Sequence, residues 1–268
     1  MLKASFPMYN IPEIRAAQSA LWKGIAVHLK RAGVEDLPDD LAHGRPLAEL
    51  LSDQNMLISQ CCGYDVVQRY RETLVLVAAP VFDVAECSGH EYSSLIVVAQ
   101  DSPYRDVLDM RGSIAAANGP ESHSGMSSLR HLVAPKSANG AFFGSVTYSG
   151  GHVQSLRLIQ SGQADVAAID SVTYALLERY RPSATEGLRK LGRTFFAPAP
   201  PYVTHVDRVG DTARRLKTAL RNAFCDPDLE TCRAALLLKG IDDVDRKTYE
   251  KILDFEIYAA KLGYPELR

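Results

Sequence analysis

"SGGHVQSLRLIQSGQADVAAIDSVTYALLERY", Ser149–Tyr180, changes texture four times in one short stretch. It opens on a Gly-Gly joint that carries a serine and a histidine. Val153–Ser161 then repeats apolar residues at helical spacing until Gly162 interrupts it. "QADVAAID" is apolar and too short for a helix, which makes it a buried strand ending at Asp170. Ser171–Tyr180 is helical again. Helix, strand and helix joined by short polar links predict an α/β fold with mostly parallel sheets flanked by helices.

The alternation continues outward in both directions. Upstream, Ser113–Ala117 reads as a strand, Asn118–Gly125 as a loop, Met126–Leu132 as a helix and Ser145–Tyr148 as a strand. Further upstream come strands Leu2–Met8, Met56–Gln60, Thr73–Pro80 and Ser93–Ala99, the last two of the β-branched, buried kind. Pro12–Ala32 has proline at a first helical turn, with Ile14, Ala17, Leu21, Ile25 and Leu29 on one face and Gly33 as a stop. Pro46–Leu51 is a short helix. Asp101–Gly112, with its Ser-Pro turn and closing glycine, separates two α/β series. Beyond the proline-rich Phe195–Tyr202 the chain reads as helical: Thr212–Phe224, Leu229–Leu238 and Lys247–Leu262. The expected organisation is one lobe of residues 1–95 plus 200–268 and an inserted lobe of 96–199. Hinges fall near 92–100 and 195–204, and a ligand is expected in a crevice outside the carboxyl ends of the strands.

Composition narrows the function classes. The chain has 268 residues, 46% hydrophobic and 23% charged, enough for a substantial core. A formal net charge of −2 argues against a dedicated nucleic-acid or anionic-membrane surface, so any anion must be bound locally. No run approaches the ~20 apolar residues of a membrane span. The opening MLKASFPMYNIPE lacks an apolar signal region, which leaves a cytosolic protein or one whose signal was removed. Cys61, Cys62, Cys87, Cys225 and Cys232 lack zinc-like spacing. They are either buried thiols or two disulfides, Cys225 with Cys232 and Cys61 or Cys62 with Cys87, in an oxidising compartment.

Three strand-to-helix joints share one chemistry: SHSGMSS (Ser122–Ser128), SGGH (Ser149–His152) and DSVT (Asp170–Thr173). Each sets hydroxyls or an imidazole beside unpaired backbone N–H groups at a helix start, where the dipole favours a negative ligand. Serine, threonine and aspartate also cap helices with nothing bound. Two joints carry more polar groups than one cap needs, and parallel strands bring such joints to one edge. The expectation is therefore a small-oxyanion site built from neutral donors, with His152 as a charge-assisted donor if protonated.

"LISQCCGY" (Leu57–Tyr64), "YSSLIVV" (Tyr92–Val98), "DMRG" (Asp109–Gly112), "SHSGMSSLR" (Ser122–Arg130) and Ser149–Thr173 together resemble the phosphate/phosphonate-binding proteins of ABC transporters, the PhnD-like type II periplasmic binding proteins. The resemblance spans Ser5 to about Lys239, and its most specific part is the SG-x-H…SL…G-x-AD-x-AA-x-D run. It implies a two-lobed, Venus-flytrap solute binder without cofactor or catalytic residues. Ser124, Gly125, Met126, Ser127 and Ser128 would clasp the phosphorus oxyanion, His152 would join them, and Asp170 would hold a ligand amino group. Tyr92 and Ser93 would sit at the first crossing between lobes, Tyr9 and Gln60 in the opposite lobe, and Tyr202 near the second crossing with Thr204. Phe195 and Phe196 would cover the cleft or belong to the core. The implied partners are the oxyanion and an ABC permease, with no nucleic acid and no membrane insertion. A monomer in the periplasm is implied. The chain departs from the family in showing no export signal, in Met126 where many members have a hydroxyl, and in the Cys61-Cys62 pair.

Two rival readings follow from the same residues. A cytosolic enzyme on the bilobal scaffold would draw on His123, His152 and Asp170, although nothing in their spacing forces a triad. A ligand-sensing binder for a signalling receptor would use the same cleft chemistry.

Overall fold

The alternation read from the sequence resolves into two five-stranded sheets, each in a unit of its own, in a computed structural model that describes residues 2–268. The first unit holds the chain up to Asp83, Ser88–Glu91 and Pro198–Tyr249. The second holds Val84–Cys87, Tyr92–Ala197 and Glu250–Arg268. The C-terminal helix Arg246–Lys261 therefore contributes its residues from Glu250 onward to the second unit, whereas the sequence places all of 200–268 in the first. Its apolar face explains the difference: Ala259, with Tyr264 and Leu267 beyond the helix, is enclosed among Met126, Leu129 and Phe142 of the second unit's core.

In the first unit the strand order is Lys3–Ala4, Met56–Gln60, Tyr202–His205, Leu74–Phe82, Leu238–Asp242. Only the first pair is parallel; the other neighbours are antiparallel. The sheet is mixed because Tyr202–His205 returns from far along the chain and inserts between Met56–Gln60 and Leu74–Phe82. The N-terminal strand is two residues long rather than seven, the helix expected over Leu229–Leu238 runs over Glu230–Ala235, and Leu238–Asp242 is a strand that the sequence pattern does not mark. Of the expected face of Pro12–Ala32, Ile14, Leu21, Ile25 and Leu29 are enclosed, Ala17 is only half-buried, Trp22 joins the buried side, and Gly33 at φ +77° follows the helix end.

The second unit's order is Leu188–Arg193, Ser94–Ala99, Val166–Asp170, Ile114–Ala117, Ser145–Tyr148. The last three are parallel to one another, and Ser94–Ala99 runs antiparallel to both of its neighbours. Leu188–Arg193 is an edge strand whose polar sequence conceals it. All five cysteines are thiols, which settles the alternatives left by their spacing in favour of no cross-links.

Arg130 ties the last segment to this core. It is 7% exposed, and its guanidinium donates to Pro265 O at 2.5 Å and to Glu256 Oε1 at 3.1 Å. Arg130→Ala leaves both acceptors without this donor and is expected to cost about 2 kcal/mol. A lowered urea midpoint with faster amide exchange confined to 250–268 would show it; an unchanged midpoint would refute it.

Candidate functional site

Strands Ser145–Tyr148, Ile114–Ala117 and Val166–Asp170 lie side by side with Ala117 opposite Tyr148 and Ala116 opposite Ala167. Their carboxyl ends share one edge, so the joints that follow them must start there. Two of these joints touch. Ser149 N–H donates to Ala117 O at 2.8 Å, and Ser124 Oγ lies 2.9 Å from His152 Nε2. The His123–Ser127 segment also packs against the third strand, Val166–Asp170.

The first joint does not enter an α-helix directly. His123–Ser127 winds as a π-helical turn before the α-helix Ser128–Val133. Ser122 caps it, its hydroxyl accepting from Gly125 N–H at 3.1 Å, and Ser127 N–H reaches back to Ser122 O at 3.0 Å. Gly125 is required by close approach: a Cβ there would lie 1.7 Å from Asn118 Oδ1. Met126 points into the hydrophobic core, so its side chain packs rather than offering a polar contact. Ser128 spends its hydroxyl on Ser124 O at 2.6 Å, a bond back along the helix.

In the second joint Gly150 takes φ +86°, a left-handed conformation that glycine adopts at no cost. Ser149 holds the loop together: its Oγ donates to Gly151 O at 3.0 Å and pairs with Ser155 Oγ at 2.7 Å. His152 is the first residue of the helix His152–Gln160. Burial drives its pKa down from 6.5 to about 4, so the ring is neutral near pH 7 and the charged donor expected from the sequence is absent. Asn118 Nδ2 approaches the same Nε2 at 3.5 Å. Among the described residues, Ser127 Oγ, His152 Nδ1 and Asn118 Oδ1 are enclosed atoms of these joints that meet no hydrogen-bonding partner.

Other expected residues divide by what their side chains do. Asp170, 3% exposed, caps the helix Ser171–Tyr180 by accepting from Thr173 N–H at 2.8 Å. Ser93 Oγ donates to Glu86 O at 3.1 Å. Tyr92 is buried and stands edge-on to His123 at 6.5 Å between ring centres. Phe195 is exposed and edge-on to His131, and Phe196 lies under the Arg193 guanidinium. In the first unit Tyr9 packs edge-on against Phe82 at 5.2 Å, and Tyr202 against Phe6 at 5.3 Å. Gln60 is paired opposite Tyr202 in the sheet, and Thr204 is fully buried in the same strand. Cys61 is enclosed beside Gln60, and burial raises its thiol well above the ordinary range, which makes it an inert core residue.

Sequence reasoning missed Asn118, which touches both joints. The available signal was its position, one residue past the strand end Ala117 on the edge where the joints start.

The geometry supplies serine hydroxyls, one neutral imidazole and an amide around a helical start, without lysine or arginine among them. Such a set can bind an anion reversibly. The Ser124–His152 contact resembles a nucleophile and base, without the third group that orients the imidazole in a triad, because Nδ1 has no hydrogen-bonding partner. A ring with its pKa near 4 is also a weak base at neutral pH.

A search of curated proteins finds no match. PhnD1 from Prochlorococcus marinus, solved in complex with methylphosphonate, shares the fold with a TM-score of 0.77, at 16% identity over 97% of this chain and 98% of its own. A binding protein component of an ABC phosphonate transporter from Pseudomonas aeruginosa gives a TM-score of 0.76, at 14% identity over 97% and 87%. The alkanesulfonate-binding protein SsuA from Xanthomonas axonopodis pv. citri, bound to MOPS, gives 0.63, at 14% identity over 99% and 95%. The family model described as "ABC transporter, phosphonate, periplasmic substrate-binding protein" matches residues 47–249, well over half of the sequence. The chain belongs to this family of phosphonate-binding, periplasmic substrate-binding proteins of ABC transporters.

Proposed function

We propose that this protein captures a small oxyanion, a phosphonate or phosphate, in the periplasm and delivers it to an ABC permease without transforming it. The observation that carries the reading is the 2.9 Å contact of Ser124 with His152, which joins two helix starts into one cluster of neutral donors. Ser127 Oγ and His152 Nδ1 supply enclosed hydrogen-bonding capacity beside it. Ser124, Gly125 and Ser127 are the proposed core of the site, with His152 across from them; Met126 and Ser128 contribute through the main chain. Asp170 and Tyr92 shape the surroundings.

Ser127→Ala and His152→Ala are each expected to weaken methylphosphonate binding about 10- to 100-fold, as loss of a hydrogen bond to a charged group does. Titration calorimetry measures this, with circular dichroism as the check on folding. Unchanged affinity in both variants would remove the joints from the site. The same titration with product analysis separates binder from enzyme: heat of binding with intact ligand supports the proposal, and release of phosphate from methylphosphonate refutes it.

A further inference from the structure

Ser145–Tyr148 is the last strand of the second unit's sheet, and among the described residues no strand pairs with its outer side. The other edges of the two five-stranded sheets are guarded by the devices that keep strands from pairing with another chain: charge, shortness and bulges. Leu188–Arg193 carries Arg189, Lys190 and Arg193, and its register shifts. In the first unit Lys3–Ala4 has two residues, and Leu238–Asp242 carries Lys239 and Asp242 with a register shift of its own. Ser145–Tyr148, by contrast, is uncharged, has Val146 and Thr147 at its centre and keeps an unbroken register with Ile114–Ala117.

This open edge matches itself. Ser149 N–H donates to Ala117 O at 2.8 Å, and backbone groups alternate sides along a strand, so Val146 and Tyr148 turn theirs outward. We propose that two copies of this chain pair through Ser145–Tyr148, antiparallel about a two-fold axis at Thr147, in place of the monomer that the family resemblance implies. Val146 then lies opposite Tyr148 of the second copy, and the two exchange their main-chain hydrogen bonds. Thr147 faces its own counterpart. A β-branched residue against an aromatic one and threonine against threonine are pairs that stabilise a sheet, and no like charges oppose each other. The side chain of Tyr148 is on the same face as that of Val146, and the residue is 51% exposed. Beside the strand, a cavity of about 570 Å³ lined in part by Phe143, Val146 and Leu267 receives the tyrosine ring of the second copy. This self-match selects a second copy over an unrelated strand.

A four-residue seam is small beside the about 1,200 Å² of a standard interface, so the expected dimer is weak, with a Kd of about 10–100 μM. Sedimentation velocity of the wild-type protein from about 1 to about 500 μM should show monomer giving way to dimer. Thr147→Lys, at an exposed position, sets two ammonium groups against each other and should raise the Kd at least about tenfold. Tyr148→Ser empties the cavity and should raise it by about as much. A wild type that stays monomeric throughout, or a dimer that neither variant weakens, overturns the proposal. Should a variant fail to fold by circular dichroism, amide exchange of the wild type decides: slower exchange at Val146 and Tyr148 at the higher concentrations upholds the pairing, and unchanged exchange overturns it.

Discussion

Lowering the pH from about 6.5 to about 4 is expected to cost the protein on the order of 5 kcal/mol of folding stability through two histidines. Burial holds His123 down to about 3, with His131 and Lys251 adding to the effect, and burial alone holds His152 at about 4. Both values lie below 6.5, so the unfolded chain takes up these protons first. Stability is therefore complete above pH 6.5, drains as the pH falls, and levels off once the folded-state values are passed. His131 shifts in the same direction, again chiefly by burial. The carboxylates held low, Asp53 by Lys3 above all, act only below their ordinary range and leave this window to the histidines. Urea denaturation at stepped pH measures the slope. His123→Asn should flatten it by about half, because His123 is one of the two main contributors. A wild-type midpoint that does not move between these pH values would refute the account.

Gly125→Ala is expected to destabilise the fold by about 2–3 kcal/mol and to reduce oxyanion affinity about 100-fold. The added methyl would meet Asn118 Oδ1 at 1.7 Å, Asn118 Cγ at 2.6 Å and Asn118 N at 3.2 Å. The amide can swing away, but the backbone nitrogen cannot, so relief comes from moving Asn118 off His152 and straining the turn that Ser122 caps. Both consequences fall on one cluster, which ties the stability loss to the affinity loss. Thermal unfolding and methylphosphonate titration of the variant test it together. A variant that binds as the wild type does would show that the anion does not use this turn.

The second unit was nearly legible in its sequence. Ser145–Tyr148 and Ser171–Tyr180 occupy the residues their pattern assigns, and Val166–Asp170 ends where "QADVAAID" ends. Local periodicity suffices there because each parallel strand is followed at once by the helix that covers it. It failed where pairing is remote. Tyr202–His205 becomes a central strand only because Met56–Gln60 and Leu74–Phe82 flank it, and Leu188–Arg193 is held as a strand by Ser94–Ala99. No short window contains those partners.

The site divides in the same way. By itself the sequence determined that serines, glycines and a histidine stand at strand ends that share one edge, because residue order and strand direction fix that placement. Only the tertiary structure decided which of those groups are already spent. Ser93 and Ser128 bond to backbone carbonyls, Ser149 bonds to backbone and to Ser155, Met126 turns into the core, and Asn118 reaches the second joint. It also decided that His152 is neutral. Hydrogen-bond satisfaction and burial depend on neighbours that arrive from other parts of the chain, and those neighbours exist only in the folded protein.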